Sequence, residues 1–121
     1  MGQTQWVVEF YIKVNGRCPT TDFLDTLSPE ELVFIRRLFQ RLEEYGTKLE
    51  RPYVAPLRDH IWELRKKTHQ GNIRLFYFFF DGNKFIITHG YKKKDAKVKD
   101  NEIQKAIDIR KDYLERFKRS S

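Results

Sequence analysis

The residues of this chain that are equipped for chemistry lie in its middle third: two guanidiniums, Arg65 and Arg74, an imidazole, His89, a carboxylate, Glu63, and an ammonium, Lys93. Arginine and lysine hold phosphate, histidine moves protons near neutrality, and tyrosine stacks on a base. Tyr91 stands beside His89, and Lys66, Lys67, Lys92, Lys94 and Lys97 surround the set with further positive charge. Acid–base chemistry at a phosphate, or capture of a polyanion, is what such a collection can do.

Those residues need a sheet to bring them together. Ile61–Thr68 alternates in polarity, Gln70-Gly71-Asn72 is a turn, Ile73–Phe80 is a second strand, Asp81-Gly82 is a hairpin signal, and Lys84–Lys92 runs back. Alternation puts Trp62 and Leu64 on one side of their strand, with Glu63, Arg65 and Lys67 on the other. Arg74 is the lone charge in a strand that is apolar on both sides, so it needs either an ion-pair partner such as Glu63 or a ligand. On the returning strand the same alternation predicts Phe85, Ile87, His89 and Tyr91 on one side. Gly90 removes a side chain between His89 and Tyr91 and lets something approach the backbone. The pattern predicts one shallow, water-exposed hollow shared by Arg65, Arg74 and His89. His60 and His69, before a strand and in a turn, read as solvated.

Around this meander, Trp6–Ile12 reads as a first strand and Thr21–Leu27 as a short helix. Ser28-Pro29-Glu30-Glu31 is a capped start for a helix whose apolar stripe runs Leu32, Ile35, Leu38, Phe39, Leu42, Tyr45, and Gly46 stops it. Pro52 and Pro56 keep Thr47–Leu57 extended. A last helix spans about 101–118. The expectation is a single α+β domain over residues 1–121, in the order β-α-α-β-β-β-α, with helices on one face of a curved antiparallel sheet.

Composition narrows the partners. The 121 residues carry net charge +7, and regional counts put −1 on residues 1–57, +7 on 58–99 and +1 on 100–121. A field so concentrated suits a polyanion. The only cysteine, Cys18, can form no internal disulfide, C-x-x-C zinc spacing is absent, and no apolar run approaches a membrane span. A cytoplasmic protein with no metal, no cofactor and no membrane partner is expected.

Pro52-Tyr53-Val54-Ala55-Pro56-Leu57, Ile61-Trp62-Glu63-Leu64-Arg65, Ile73-Arg74-Leu75-Phe76-Tyr77, His89-Gly90-Tyr91 with Lys93-Lys94, and Glu102-Ile103 with Ala106 stand in one order along the chain. In that order they resemble the phage-derived, HigB-like branch of the RelE/ParE toxin superfamily. The resemblance implies a type II toxin: a metal-independent endoribonuclease that cuts messenger RNA, typically on the ribosome, and is neutralised by a helix-turn-helix antitoxin of the HigA-like kind. It implies phosphate-clamping roles for Arg65 and Arg74, a basic role for Lys93, and a general base in either His89 or Glu63, with Lys67 behind them. Tyr91 stands where an aromatic is expected. Asp95-Ala96-Lys97-Val98-Lys99 departs from the family's Thr-x-Lys-Thr-Pro and keeps only the central lysine. Two other readings remain beside the nuclease: a gyrase-poisoning toxin of the same fold that acts by binding alone, and a basic RNA-binding domain.

Overall fold

The computed structural model describes residues 5–93 and 98–120, with side chains up to residue 118. In chain order the elements are β1 (Val7–Phe10), α1 (Pro19–Leu24), α2 (Pro29–Tyr45), a 3-10 turn (Gly46–Lys48), β2 (Val54–Pro56), β3 (Trp62–Thr68), β4 (Gly71–Phe80), β5 (Lys84–Lys93) and α3 (Asp100–Ser120). The α+β class and the element order agree with the sequence. The short strand β2 was not expected; it ends on Pro56, which a sheet tolerates only at its margin.

One five-stranded sheet, in the order β1-β5-β4-β3-β2, organises the chain. The meander β3-β4-β5 is antiparallel, as its hairpins require, but β1 lies parallel to β5, with Val7 opposite Lys84 and Phe10 opposite Ile87. The sheet is therefore mixed, not antiparallel throughout. Hairpin signals act locally and say nothing about where a distant strand docks.

The helices do not share a face. Ile73, Leu75 and Tyr77 of β4 pack with Ile35, Leu38 and Leu42 of α2. Phe76 and Phe78, pointing the other way, pack with Ala106, Ile107 and Ile109 of α3. This corrects the expectation of helices on one side. The apolar run Ile73–Phe80 has two faces to bury, and one helical layer covers only one of them.

Local chemistry explains α2 well. Ser28 Oγ accepts from the Glu31 amide at 3.1 Å, while the Ser28 amide donates to Glu31 Oε1 at 3.0 Å, closing the capping box. Gly46 ends the helix at φ +57°, where a Cβ would also strike the Trp6 indole.

A bulge in β5 decides which way the functional side chains point. Phe76 pairs with His89, but Tyr77 pairs with Ile87, leaving Thr88 as the extra residue. Phe85 and Ile87 consequently face α2, whereas Ile86 joins the α3 core and His89 stacks on Phe76, itself part of that core. The four residues expected on one side of β5 are split into two pairs by this one insertion.

Candidate functional site

The register of the meander sets the site out in rows on the α3 side of the sheet. Lys67, Asn72 and Lys93 form one row; Arg65, Arg74 and Tyr91 the next; Glu63, Phe76 and His89 the third. The Arg65 amide donates to the Tyr53 carbonyl at 2.8 Å, toward β2. Arg65 and Arg74 are thus a non-hydrogen-bonded pair, in which side chains stand closest, with Cα atoms ~4.5 Å apart. Like charges so placed repel each other.

Glu63 offsets that repulsion. Both of its oxygens accept from Arg74 Nη1, at 3.0 and 2.9 Å, and Oε1 lies 3.6 Å from Arg65 Nη1. Glu63 is 1% exposed and Arg74 4%, while 37% of the Arg65 side chain reaches solvent. The face on which a water-exposed hollow was expected holds a buried carboxylate, paired with Arg74 as the ion-pair alternative has it. Burial of this kind is tolerated because the opposite charge is bonded to it directly, and removing one member of such a pair costs about 3–5 kcal/mol.

A cleft of about 460 Å³ opens beside this triad, lined by Pro52, Tyr53, Arg65, Lys66, Lys67, Asn72, Ile73 and Arg74. Its position follows from the shortness of β2, which pairs with β3 only as far as Leu64. Beyond that point the ladder alternation turns the Lys67 backbone amide outward, toward the cleft. The Tyr53 ring at the cleft wall carries the Arg41 guanidinium 4.6 Å from its centre. Nothing in the strand alternation points to Tyr53; only the short β2 brings it there.

His89 is held elsewhere. It is 4% exposed, stacked on Phe76 at 4.9 Å, and lines a different cleft with Tyr11, Asp22, Lys105, Asp108 and Asp112. Nε2 lies 2.9 Å from Glu102 Oε1, and Nδ1 lies 3.0 Å from Thr88 Oγ1. Burial lowers the imidazole pKa, more strongly than the Glu102 carboxylate raises it. The neutral Nε2–H tautomer donates to Glu102 and leaves Nδ1 as an acceptor for the Thr88 hydroxyl, whose one proton also has the Phe76 carbonyl within 3.4 Å. The expected hollow shared by two guanidiniums and an imidazole therefore does not form; the arginines come together and His89 is sealed beneath α3.

The remaining candidates divide by face. Lys67 lies on the α3 side, exposed, and Lys93 ends the same row half-buried. Lys66 points to the α2 side, its Nζ 4.5 Å above the Phe34 ring. Lys92 does likewise and binds Glu31 Oε2 at 2.9 Å, tying the first turn of α2 to β5. The Ser28 amide is the main cause, ahead of Lys92, that holds the Glu31 carboxyl below its ordinary range. Tyr91 stacks on Phe76 with planes 10° apart, and its hydroxyl accepts from the Lys99 amide at 3.2 Å, so its body is a packing element. Lys94 and Lys97 lie outside the described residues. What approaches the backbone at Gly90 is not a ligand but Phe23 of α1, whose ring would sit 2.6 Å from a Cβ there. Glu102, the partner of His89, stands in the sequence only as part of the Glu102-Ile103 and Ala106 motif, with nothing to link it to the histidine.

A mixed sheet clasped between helices on both faces, with arginines gathered at a cleft on one sheet edge, defines a small basic α+β protein of RelE-like fold. The family model described as phage-derived protein Gp49-like matches residues 22–111. The chain belongs to that family, a phage-derived, toxin-like one. No curated protein matches it. Among the described residues no group of His, Cys, Asp and Glu is placed to hold a metal ion, and no helix is long and apolar enough to cross a membrane.

Proposed function

We propose that the protein is the toxin of a type II toxin–antitoxin system and an endoribonuclease that cuts messenger RNA, acting on the ribosome, in the manner of HigB-like toxins. The observation that carries this reading is the Arg65–Arg74 pair set side by side at an open cleft, in a chain whose family is toxin-like. In the reaction, the ribose 2′-oxygen attacks the adjacent phosphorus as its proton leaves to a base. The bond to the 5′-oxygen breaks and that oxygen takes up a proton, leaving a 2′,3′-cyclic phosphate and a 5′-hydroxyl. Negative charge grows on the phosphorane, and guanidinium and ammonium groups fixed around it lower the barrier. Arg65 and Arg74 are assigned to that task, with Lys67 and Lys93 beside them. A helix-turn-helix antitoxin placing acidic groups across the same field would neutralise it.

His89 has no part in this assignment, because it lines a different cleft from Arg65 and Arg74 and its Nε2 is bonded to Glu102. The same observation favours a second reading, a toxin that poisons gyrase by binding alone, since a pure binding surface needs no titrating group. Mapping transcript ends after induction separates the two. New 5′-hydroxyl ends with the natural chain, and none with Arg65→Ala, are expected. Intact transcripts with broken DNA would support the binding toxin, and unaffected growth would sink both.

A further inference from the structure

We infer that Glu63 is a positioning residue for phosphate recognition: its buried carboxylate holds Arg65 and Arg74 at the spacing at which both face one phosphate, and takes no proton from the substrate. This rests on the RNA reading above. Two guanidiniums opposite each other in a non-hydrogen-bonded pair repel and, left alone, splay apart. Glu63 stands one row away on the same face and reaches both, with two contacts to Arg74 and one to Arg65.

The carboxylate is poorly placed to act as a base. At 1% exposure it meets no solvent, and a ribose hydroxyl reaches it only by displacing a guanidinium. Its cross-strand neighbours, Ala55 and Phe76, are both buried and apolar. Its electrostatic effect is also definite: the triad carries one net positive charge instead of two, which leaves Arg65, the exposed member, tethered instead of ranging along the backbone of a nucleic acid.

The test compares the natural chain with Glu63→Gln and Glu63→Asp, each checked for folding by thermal unfolding. One measurement is binding of a short single-stranded RNA with 2′-O-methyl ribose throughout, which cannot be cut, as a function of salt. The other is the pH profile of kcat on unmodified messenger RNA bound in the ribosome. Without the shared carboxylate the two arginines no longer meet at one phosphate, so Glu63→Gln is expected to lose one phosphate contact and flatten the salt dependence by about 0.7 in slope. Glu63→Asp, whose shorter arm loses Arg65 first, is expected to move in the same direction by less, and it decides the matter if the glutamine variant fails to fold. Residual kcat should fall while its pH profile keeps the natural shape. Unchanged salt slope with loss of the acidic limb of kcat would overturn the inference and make Glu63 the base. If the natural chain binds but does not cut messenger RNA on the ribosome, the nuclease reading fails and the salt slope still decides the role of Glu63. If it binds no RNA, both fall.

Discussion

His89 Nε2 and Glu102 Oε1 lie 2.9 Å apart, joining β5 to the first turn of α3 in a part-buried contact. Burial is the larger influence on the imidazole and depresses its pKa, so the folded protein resists the proton that the unfolded chain accepts below about pH 6.5. The contribution of His89 is therefore fully present above that pH and declines as pH falls toward the lower folded value. Between pH 7.5 and pH 5.5 the natural chain should lose more thermal stability than His89→Gln, whose amide can still donate to Glu102. Parallel stability curves would show that the imidazole titrates as it does in water. On the proposed reading the folded variant should also arrest growth, since His89 lies outside the arginine cleft.

Arg65 and Arg74 should respond differently to truncation. Arg65→Ala removes a partly exposed group at a cost under about 1 kcal/mol and should abolish toxicity in a folded protein. Arg74→Ala leaves Glu63 buried without its closest partner and should cost about 3–5 kcal/mol by chemical denaturation. Replacing both members, Glu63→Leu with Arg74→Met, should recover most of that stability without recovering toxicity. A stable Arg74→Ala would show that Glu63 finds water or another donor.

Lysines on the two sheet faces should separate in RNA binding. Lys67→Ala, on the arginine face, should weaken single-stranded RNA binding and flatten its salt dependence by about 0.7 in slope. Lys92→Ala removes the tie to Glu31 and should lower the melting temperature while leaving that slope as it is. The reverse result would move the RNA surface to the α2 side.

Gly90 tests how α1 is seated. A Cβ there would lie 2.6 Å from Phe23 Cδ2 and 2.8 Å from Leu75 Cδ2, so Gly90→Ala should destabilise by about 1–3 kcal/mol. Combining it with Phe23→Leu should relieve part of that loss. An Ala variant as stable as the natural chain would mean that α1 moves away freely.

Much of the architecture was legible because it is local. The α2 boundaries are written in Ser28, Glu31 and Gly46, whose hydrogen bonds and φ are the ones their types favour. The β3–β4 face assignment was legible too: Glu63, Arg65 and Lys67 share a face with Arg74, and Arg74 does pair with Glu63. The β5 assignment failed beyond Ile87, because a bulge at Thr88 leaves no mark in the polarity pattern. Gly90 pointed correctly to a close approach and wrongly to its occupant, since a missing side chain is silent about what fills the space. Alternation already sets Lys66 apart from Arg65 and Lys67, and Lys92 apart from Tyr91; grouping them with the RNA-facing lysines followed their charge instead of the pleat.

Capping, turn chemistry and alternation act over a few residues, so every element but β2, the order of the meander and the gathering of positive charge between residues 58 and 99 can be read from the chain alone. Tertiary structure alone decided that helices cover both faces, that β1 enters parallel to β5, and that His89 turns away from Arg65 and Arg74 to meet Glu102. Those outcomes depend on which distant surfaces bury each other, and an apolar residue is equally content against any well-fitting neighbour.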